Sequence, residues 1–191
     1  MNLREDWSPI LRQLLEMEKP IRIRETATNL GIPKSKLWRI IKTLEEEKIV
    51  RKTGITYIIN HGYFKTRSLK QFVFIPYIGT QIVKVFQNTP YSVGIYGSYA
   101  SGKNHQDSDI DIWVYHPTPI GFIERGRLLS SLMAIFNKDI DLLTLSDEMI
   151  ENLTRENPGF LTSIISSEIT IKGEELIDIV ARVQRKKVHQ E

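Results

Sequence analysis

Gly97-Ser98-Tyr99-Ala100-Ser101-Gly102-Lys103-Asn104-His105-Gln106-Asp107-Ser108-Asp109-Ile110-Asp111 decides how the rest of this chain is read. Just before it, Val93-Gly94-Ile95-Tyr96 is short, apolar and β-rich, the profile of a buried strand. Gly97-Ser98 supplies a turn with backbone N–H groups and a hydroxyl, a local geometry suited to phosphate oxygens. After the loop, Asp109-Ile110-Asp111-Ile112-Trp113-Val114 alternates carboxylate with hydrophobe. Side chains at i and i+2 share a strand face, so Asp109 and Asp111 are expected to project together while Ile110 and Ile112 enter the core. Two ionised carboxylates held side by side repel each other, which is expected where a divalent cation lies between them. A Gly-Ser turn beside paired carboxylates is equipment for metal-assisted phosphoryl or nucleotidyl transfer.

Working outward, Asp139-Ile140-Asp141-Leu142-Leu143-Thr144-Leu145 reads as a further strand with an acidic start. The two-residue period puts Asp139 and Asp141 on one face, so spacing alone does not separate them. Between the strands, Gly121 to Asn137 carries Leu128, Leu129, Leu132, Met133 and Phe136 with helical spacing. A helix from Asp147, broken near Pro158-Gly159, and a last helix from about Glu174 follow.

The spacing Gly-Ser, ten residues, Asp-x-Asp resembles the signature of the DNA polymerase beta nucleotidyltransferase superfamily. Tyr99-Ala100-Ser101-Gly102 and Ser108-Asp109-Ile110-Asp111 are similar to its minimal nucleotidyltransferase branch. The resemblance implies an α/β (α+β) fold, a small mixed sheet flanked by helices. It also implies an enzyme that uses ATP and one or two Mg²⁺. Asp109 and Asp111 are then catalytic carboxylates and metal ligands, while Gly97 and Ser98 grip the triphosphate. The branch commonly has a basic residue where this chain has Ser101, and Lys103 stands two residues on as its substitute. A third carboxylate comes from a neighbouring strand between apolar residues, and Ile140-Asp141-Leu142 matches that pattern, so Asp141 is the choice over Asp139. Minimal members often act as antitoxins that adenylylate a tyrosine of a HEPN-type toxin. Aminoglycoside nucleotidyltransferases are also relatives, so the alternative acceptor is a small-molecule hydroxyl.

Ahead of this region the chain is of another kind. Ile10, Leu11, Leu14 and Leu15 mark a first helix from about Trp7 to Glu18, Glu25 to Leu30 a second, and Leu37, Ile40, Ile41 and Leu44 a third opened by Pro33. Ile49-Val50-Arg51-Lys52 and Ile55-Thr56-Tyr57-Ile58-Ile59, joined at Thr53-Gly54, read as a hairpin. Three helices and a hairpin give the order of a winged helix-turn-helix, and Ala27 to Arg39 resembles that motif in microbial transcription regulators. The third helix then enters the major groove of duplex DNA with Lys34, Ser35, Lys36 and Arg39, while Arg51 and Lys52 lie over phosphates. Residues 1–62 are therefore read as a winged helix domain, 63–76 as a linker or interdomain helix, and 77–191 as the nucleotidyltransferase domain, which begins with a helix from about Tyr77 to Asn88. The rival of another class is a DNA-binding regulator whose second domain only senses nucleotide.

Composition sets the outer bounds. The 191 residues suffice for two small domains, and their charge is divided: +4 over residues 1–62, +4 over 63–88 and −5 over 89–191. With no cysteine, disulfides, thiolate metal sites and a cysteine nucleophile are excluded. The four histidines have no ligand-like spacing. The run Phe72 to Ile78 is too short to span a bilayer, and Met1 to Asp6 lacks the apolar core of a signal peptide, so a cytoplasmic location without membrane attachment is expected.

Overall fold

The computed structural model describes residues 7–188, which divide into two compact units. One comprises the chain up to Ile75 together with Gly102–Ser108; the other comprises Pro76–Ser101 and the chain from Asp109 onward.

In the first unit, α1 (Ser8–Leu15) buries Ile10, Leu11, Leu14 and Leu15. α2 (Ile23–Asn29) and α3 (Lys34–Glu46) follow, and α3 buries Leu37, Ile40, Ile41 and Leu44, the stripe its sequence spacing demands. β1 (Val50–Thr53) and β2 (Thr56–Ile59) form an antiparallel hairpin, and an isolated bridge pairs Ile21 with Tyr57 of β2. The helix-turn-helix with a hairpin wing is thus present, with α1 shorter than the sequence suggested because the chain turns at Glu16.

α4 (Phe64–Phe86) is a single helix that joins the stretch expected as a linker or interdomain helix to the helix expected from about Tyr77. Pro76 lies inside it, at the point where the two units divide. Proline has no N–H to give the Phe72 carbonyl, so the ladder is weakest at that point. Burial of Leu69, Val73, Ile78, Ile82 and Phe86 on either side holds the helix across the gap.

The second unit is built on a four-stranded sheet in the order β5-β4-β3-β6. β3 (Ser92–Ile95) lies antiparallel to both β4 (Ile110–Tyr115) and β6 (Ile169–Lys172). β4 and β5 (Ile140–Leu145) run parallel, joined by α6 (Phe122–Phe136), so the sheet is mixed. A one-turn helix, α5 (Gly97–Ala100), follows β3. α7 (Asp147–Glu156), α8 (Pro158–Ser167) and α9 (Leu176–Val188) supply Ile150, Leu161, Ile164, Ile179 and Val183 to a core shared with Trp113, Tyr115 and Leu145 of the strands and with Tyr96 just after β3. Ser146 caps α7 by accepting from the Met149 N–H, and Asn157 caps α8 by accepting from the Phe160 N–H. Among the described residues, no helix is long and apolar enough to cross a membrane.

Candidate active site

Three segments of the second unit converge at one end of its sheet: the turn after β3, the start of β4 and the start of β5. The antiparallel pairing of β3 with β4 continues past the strand, with the Tyr96 N–H donating to the Asp111 carbonyl at 3.1 Å. The parallel register then sets Asp111 directly beside Asp141. By strand alternation Asp111 shares its face with Trp113 and Tyr115, whose side chains anchor the core, so the carboxylate is the polar end of an otherwise apolar row.

Gly97 has φ +67°, the left-handed region, and a Cβ there would run into the Asp111 carboxylate. Glycine is what lets the turn close over that side chain. The Ser98 N–H lies 3.4 Å from Asp111 Oδ2, a long bond. The Gly-Ser turn that the sequence suggested for phosphate oxygens therefore also faces the first carboxylate of β4. Burial raises the Asp111 carboxyl above the usual carboxylate range, and the charges of Asp141 and Asp109 push it the same way against the Ser98 N–H.

Asp141 is exposed, and the Tyr96 hydroxyl donates to its Oδ2 at 3.1 Å. Burial first, and then Asp141, hold the Tyr96 hydroxyl well above its ordinary value, so it remains a donor. Sequence reasoning placed Tyr96 among apolar strand residues and missed it; its position immediately before Gly97 was the available signal. Lys138, with Nζ 5.8 Å from the Tyr99 ring centroid, is a second neighbour of the turn that the sequence did not single out.

Asp109 is exposed and lies just ahead of β4, not within it, because the strand begins at Ile110. The Ile110 N–H donates to the Asp139 carbonyl at 3.0 Å, so Asp139 likewise precedes β5. Lys103 is exposed and falls in Gly102–Ser108, the segment grouped with the first unit.

Among the described residues, no three Asp, Glu or His side chains stand as a ready-made ion cage. The site offers the pair Asp111 and Asp141, with Asp109 near enough to act on Asp111 electrostatically. Mg²⁺ is characteristically held by one or two carboxylates together with substrate phosphates. A carboxylate made proton-prone by its like-charged neighbours is also what a cation relieves, so the donor set fits such an ion.

The residues proposed for DNA lie in the first unit. Lys34, Ser35 and Arg39 are exposed on the first half of α3, and Lys36 is half-buried. Trp38, 49% exposed, carries the Lys42 ammonium 5.7 Å from its ring, and Lys42 also pairs with Glu45 at 2.7 Å. Arg51 and Lys52 are exposed on β1, beside a hairpin tip where Ile55 is 87% exposed.

Residues 80–176 match the family model described as Polymerase beta, Nucleotidyltransferase, and residues 9–54 match the IclR helix-turn-helix domain. Among solved structures, the chain is similar to one in a toxin–antitoxin crystal structure with AMP-PNP, at 22% identity and a TM-score of 0.43, over 59% of this chain and 88% of the other. It is also similar to a chain in the complex of a tri-AMPylated Shewanella oneidensis HEPN toxin with MNT antitoxin, at 20% identity and a TM-score of 0.41, over 60% and 86%. No curated protein is significantly similar to the chain.

Proposed function

The chain belongs to the polymerase beta nucleotidyltransferase family, and we propose that it transfers a nucleoside monophosphate from ATP to a hydroxyl on a partner protein, in a Mg²⁺-dependent reaction. The observation that carries this reading is the parallel register of Asp111 and Asp141 beneath a glycine turn that only glycine can close. Asp109, Asp111 and Asp141 are the residues that would hold one or two Mg²⁺, whose charge would offset that of the triphosphate and the departing pyrophosphate.

The protein's own groups divide the remaining work. Gly97 and Ser98 border the triphosphate, with Lys103 as the proposed cationic helper. Tyr96 fixes Asp141 through Oδ2, leaving Oδ1 to accept the proton of the acceptor hydroxyl. The acceptor oxygen bonds to the α-phosphorus as the bond to pyrophosphate breaks. Catalysis of this type is positioning and charge compensation, so a small set of side chains suffices.

Asp109 and Asp141 are both exposed, which leaves the carboxylate edge open to a large acceptor. A docked partner supplies the positioning that a small-molecule enzyme must build from an enclosing pocket. The helix-turn-helix of the first unit adds duplex DNA as a second ligand, read by Lys34, Ser35, Lys36 and Arg39 with Arg51 and Lys52 on phosphates. The role that would unite these features, following the sequence resemblance, is that of a DNA-binding antitoxin that modifies a HEPN-type toxin encoded beside it.

The test is to incubate the full chain with ATP labelled at the α-phosphate, Mg²⁺ and the protein encoded beside it. Label is expected on a tyrosine of that partner, followed by mass. Label found only on an added aminoglycoside overturns the protein acceptor. Nucleotide binding with no transfer to any acceptor overturns the enzyme in favour of a nucleotide-sensing regulator.

A further inference from the structure

The loop between the Gly-Ser turn and the carboxylates does not group with the transferase unit that both its ends belong to. Gly102–Ser108 belongs instead to the first unit, and named contacts hold it there. Gly102, at φ +67°, is pressed so closely on the Arg67 carbonyl that no Cβ would fit. The Lys70 ammonium donates to the Asn104 carbonyl and, at 3.3 Å, to Nδ1 of His61. His61 faces the Met17 carbonyl through Nε2 at 3.2 Å, so Nε2 carries the proton and Nδ1 is the acceptor for Lys70. The Asn104 side chain is fully buried and its Nδ2 donates to Glu16 Oε1 at 3.1 Å. At the loop's outer side, His105 lies 3.7 Å from Glu18.

Lys70 is a costly way to pin a loop. It is 2% exposed, and burial pushes its ammonium down to about 8, against the opposing charges of Glu16 and Glu18. An apolar side chain of similar length would avoid that desolvation, as buried charges replaced by hydrophobes often show. What methionine would not supply is the charged donor to the Asn104 carbonyl, five residues before Asp109.

We propose that Lys70 and Asn104 are positioning residues for the transferase site, holding from the helix-turn-helix unit the loop that delivers Asp109 and Lys103. The inference rests on the nucleotidyltransferase reading above. Neither residue touches the nucleotide; each acts through the loop backbone.

The test uses the full chain and two variants. Lys70→Met removes the charged donor; Asn104→Ala removes the Glu16 anchor and keeps the backbone oxygen, which guards against a Lys70→Met chain that fails to fold. Amide hydrogen exchange over residues 102–108 reports the loop, and calorimetric titration with AMP-PNP, in Mg²⁺ and in EDTA, reports the site. Both variants are expected to exchange faster in this loop. They are also expected to lose about 10–100-fold of the affinity that Mg²⁺ adds, the range seen when groups supporting a metal ligand are removed. Binding in EDTA is expected to fall less than binding in Mg²⁺, because only the Lys103 contact and not the Asp109 one then counts. An equal loss with and without Mg²⁺ marks general damage to the fold and overturns the positioning role. So does a loosened loop with undiminished Mg²⁺-dependent affinity. Absence of Mg²⁺-dependent binding by the wild-type chain instead overturns the transferase reading on which this inference rests.

Discussion

Asp111 concentrates the conflict on which the proposed chemistry depends. It is half-buried, flanked by Asp141 across the register and by Asp109 along the chain, and its carboxyl is raised by burial and by both charges. A carboxyl raised in the folded state contributes stability that is full below its unfolded value and lost as pH rises through its folded one. At neutral pH the ionised group therefore costs stability in the metal-free protein. Asp111→Asn is expected to raise the metal-free melting temperature at neutral pH, and the gain should vanish in acid, while turnover falls by at least about 10²–10³. Melting curves at pH 3 and 7.5, set beside transfer rates, check both halves, and undiminished turnover in the folded variant removes the metal role from Asp111. Asp141→Ala is expected to impair transfer far more than Asp139→Ala, because the register puts Asp141 beside Asp111 while Asp139 precedes the strand. Tyr96→Phe should give an intermediate loss, since it deletes only the donor that orients Asp141. Rates for the three variants at saturating Mg²⁺ decide the ranking, and a larger loss at Asp139 reverses the choice of third carboxylate.

At the scale of elements, the DNA reading divides cleanly between α3 and the hairpin. Arg39→Ala is expected to weaken binding to a specific duplex by about 1–3 kcal/mol if it reads a base edge. Arg51→Ala or Lys52→Ala should weaken binding to every sequence alike and reduce the salt slope by about 1, as loss of a phosphate contact does. Gel-shift titrations over several salt concentrations distinguish the two patterns, and no duplex binding at low salt would point to a docking role for this unit. The elements themselves were largely legible because their signals are local. The stripe of α3, the wing and the Gly-Ser to Asp-x-Asp spacing all lie within short windows of sequence. α4 was not legible as one helix, because Pro76 is a local stop signal that buried Leu69, Val73, Ile78 and Ile82 override. Alternation likewise suggested a strand beginning at Asp109, whereas β4 starts at Ile110, opposite the backbone of Asp139. Tyr96 looked like any core aromatic; only the fold brings its hydroxyl to a carboxylate 45 residues away.

At the scale of the molecule, the consequential feature was invisible in sequence, because Glu16 and Lys70 meet Asn104 across separations of 88 and 34 residues. The loop they hold carries Lys103 and runs directly into Asp109, so one short segment is shared by the covalent path of the transferase motif and by the packing of the helix-turn-helix unit. If duplex DNA on α3 and the wing alters how firmly α1 and the first half of α4 hold this segment, nucleotide affinity must respond. Linkage then requires nucleotide to change DNA affinity by the same factor. A coupling of about 1–3 kcal/mol, or 5–150-fold, is the usual size of such effects. The expected result is that MgAMP-PNP shifts the wild-type gel-shift midpoint by a factor in that range, and that duplex DNA shifts the AMP-PNP titration by an equal factor. Lys70→Met should abolish both shifts together while leaving DNA affinity in the absence of nucleotide unchanged. A coupling that persists in Lys70→Met would mean that it travels by another route, since the charged anchor of the loop would then be dispensable to it.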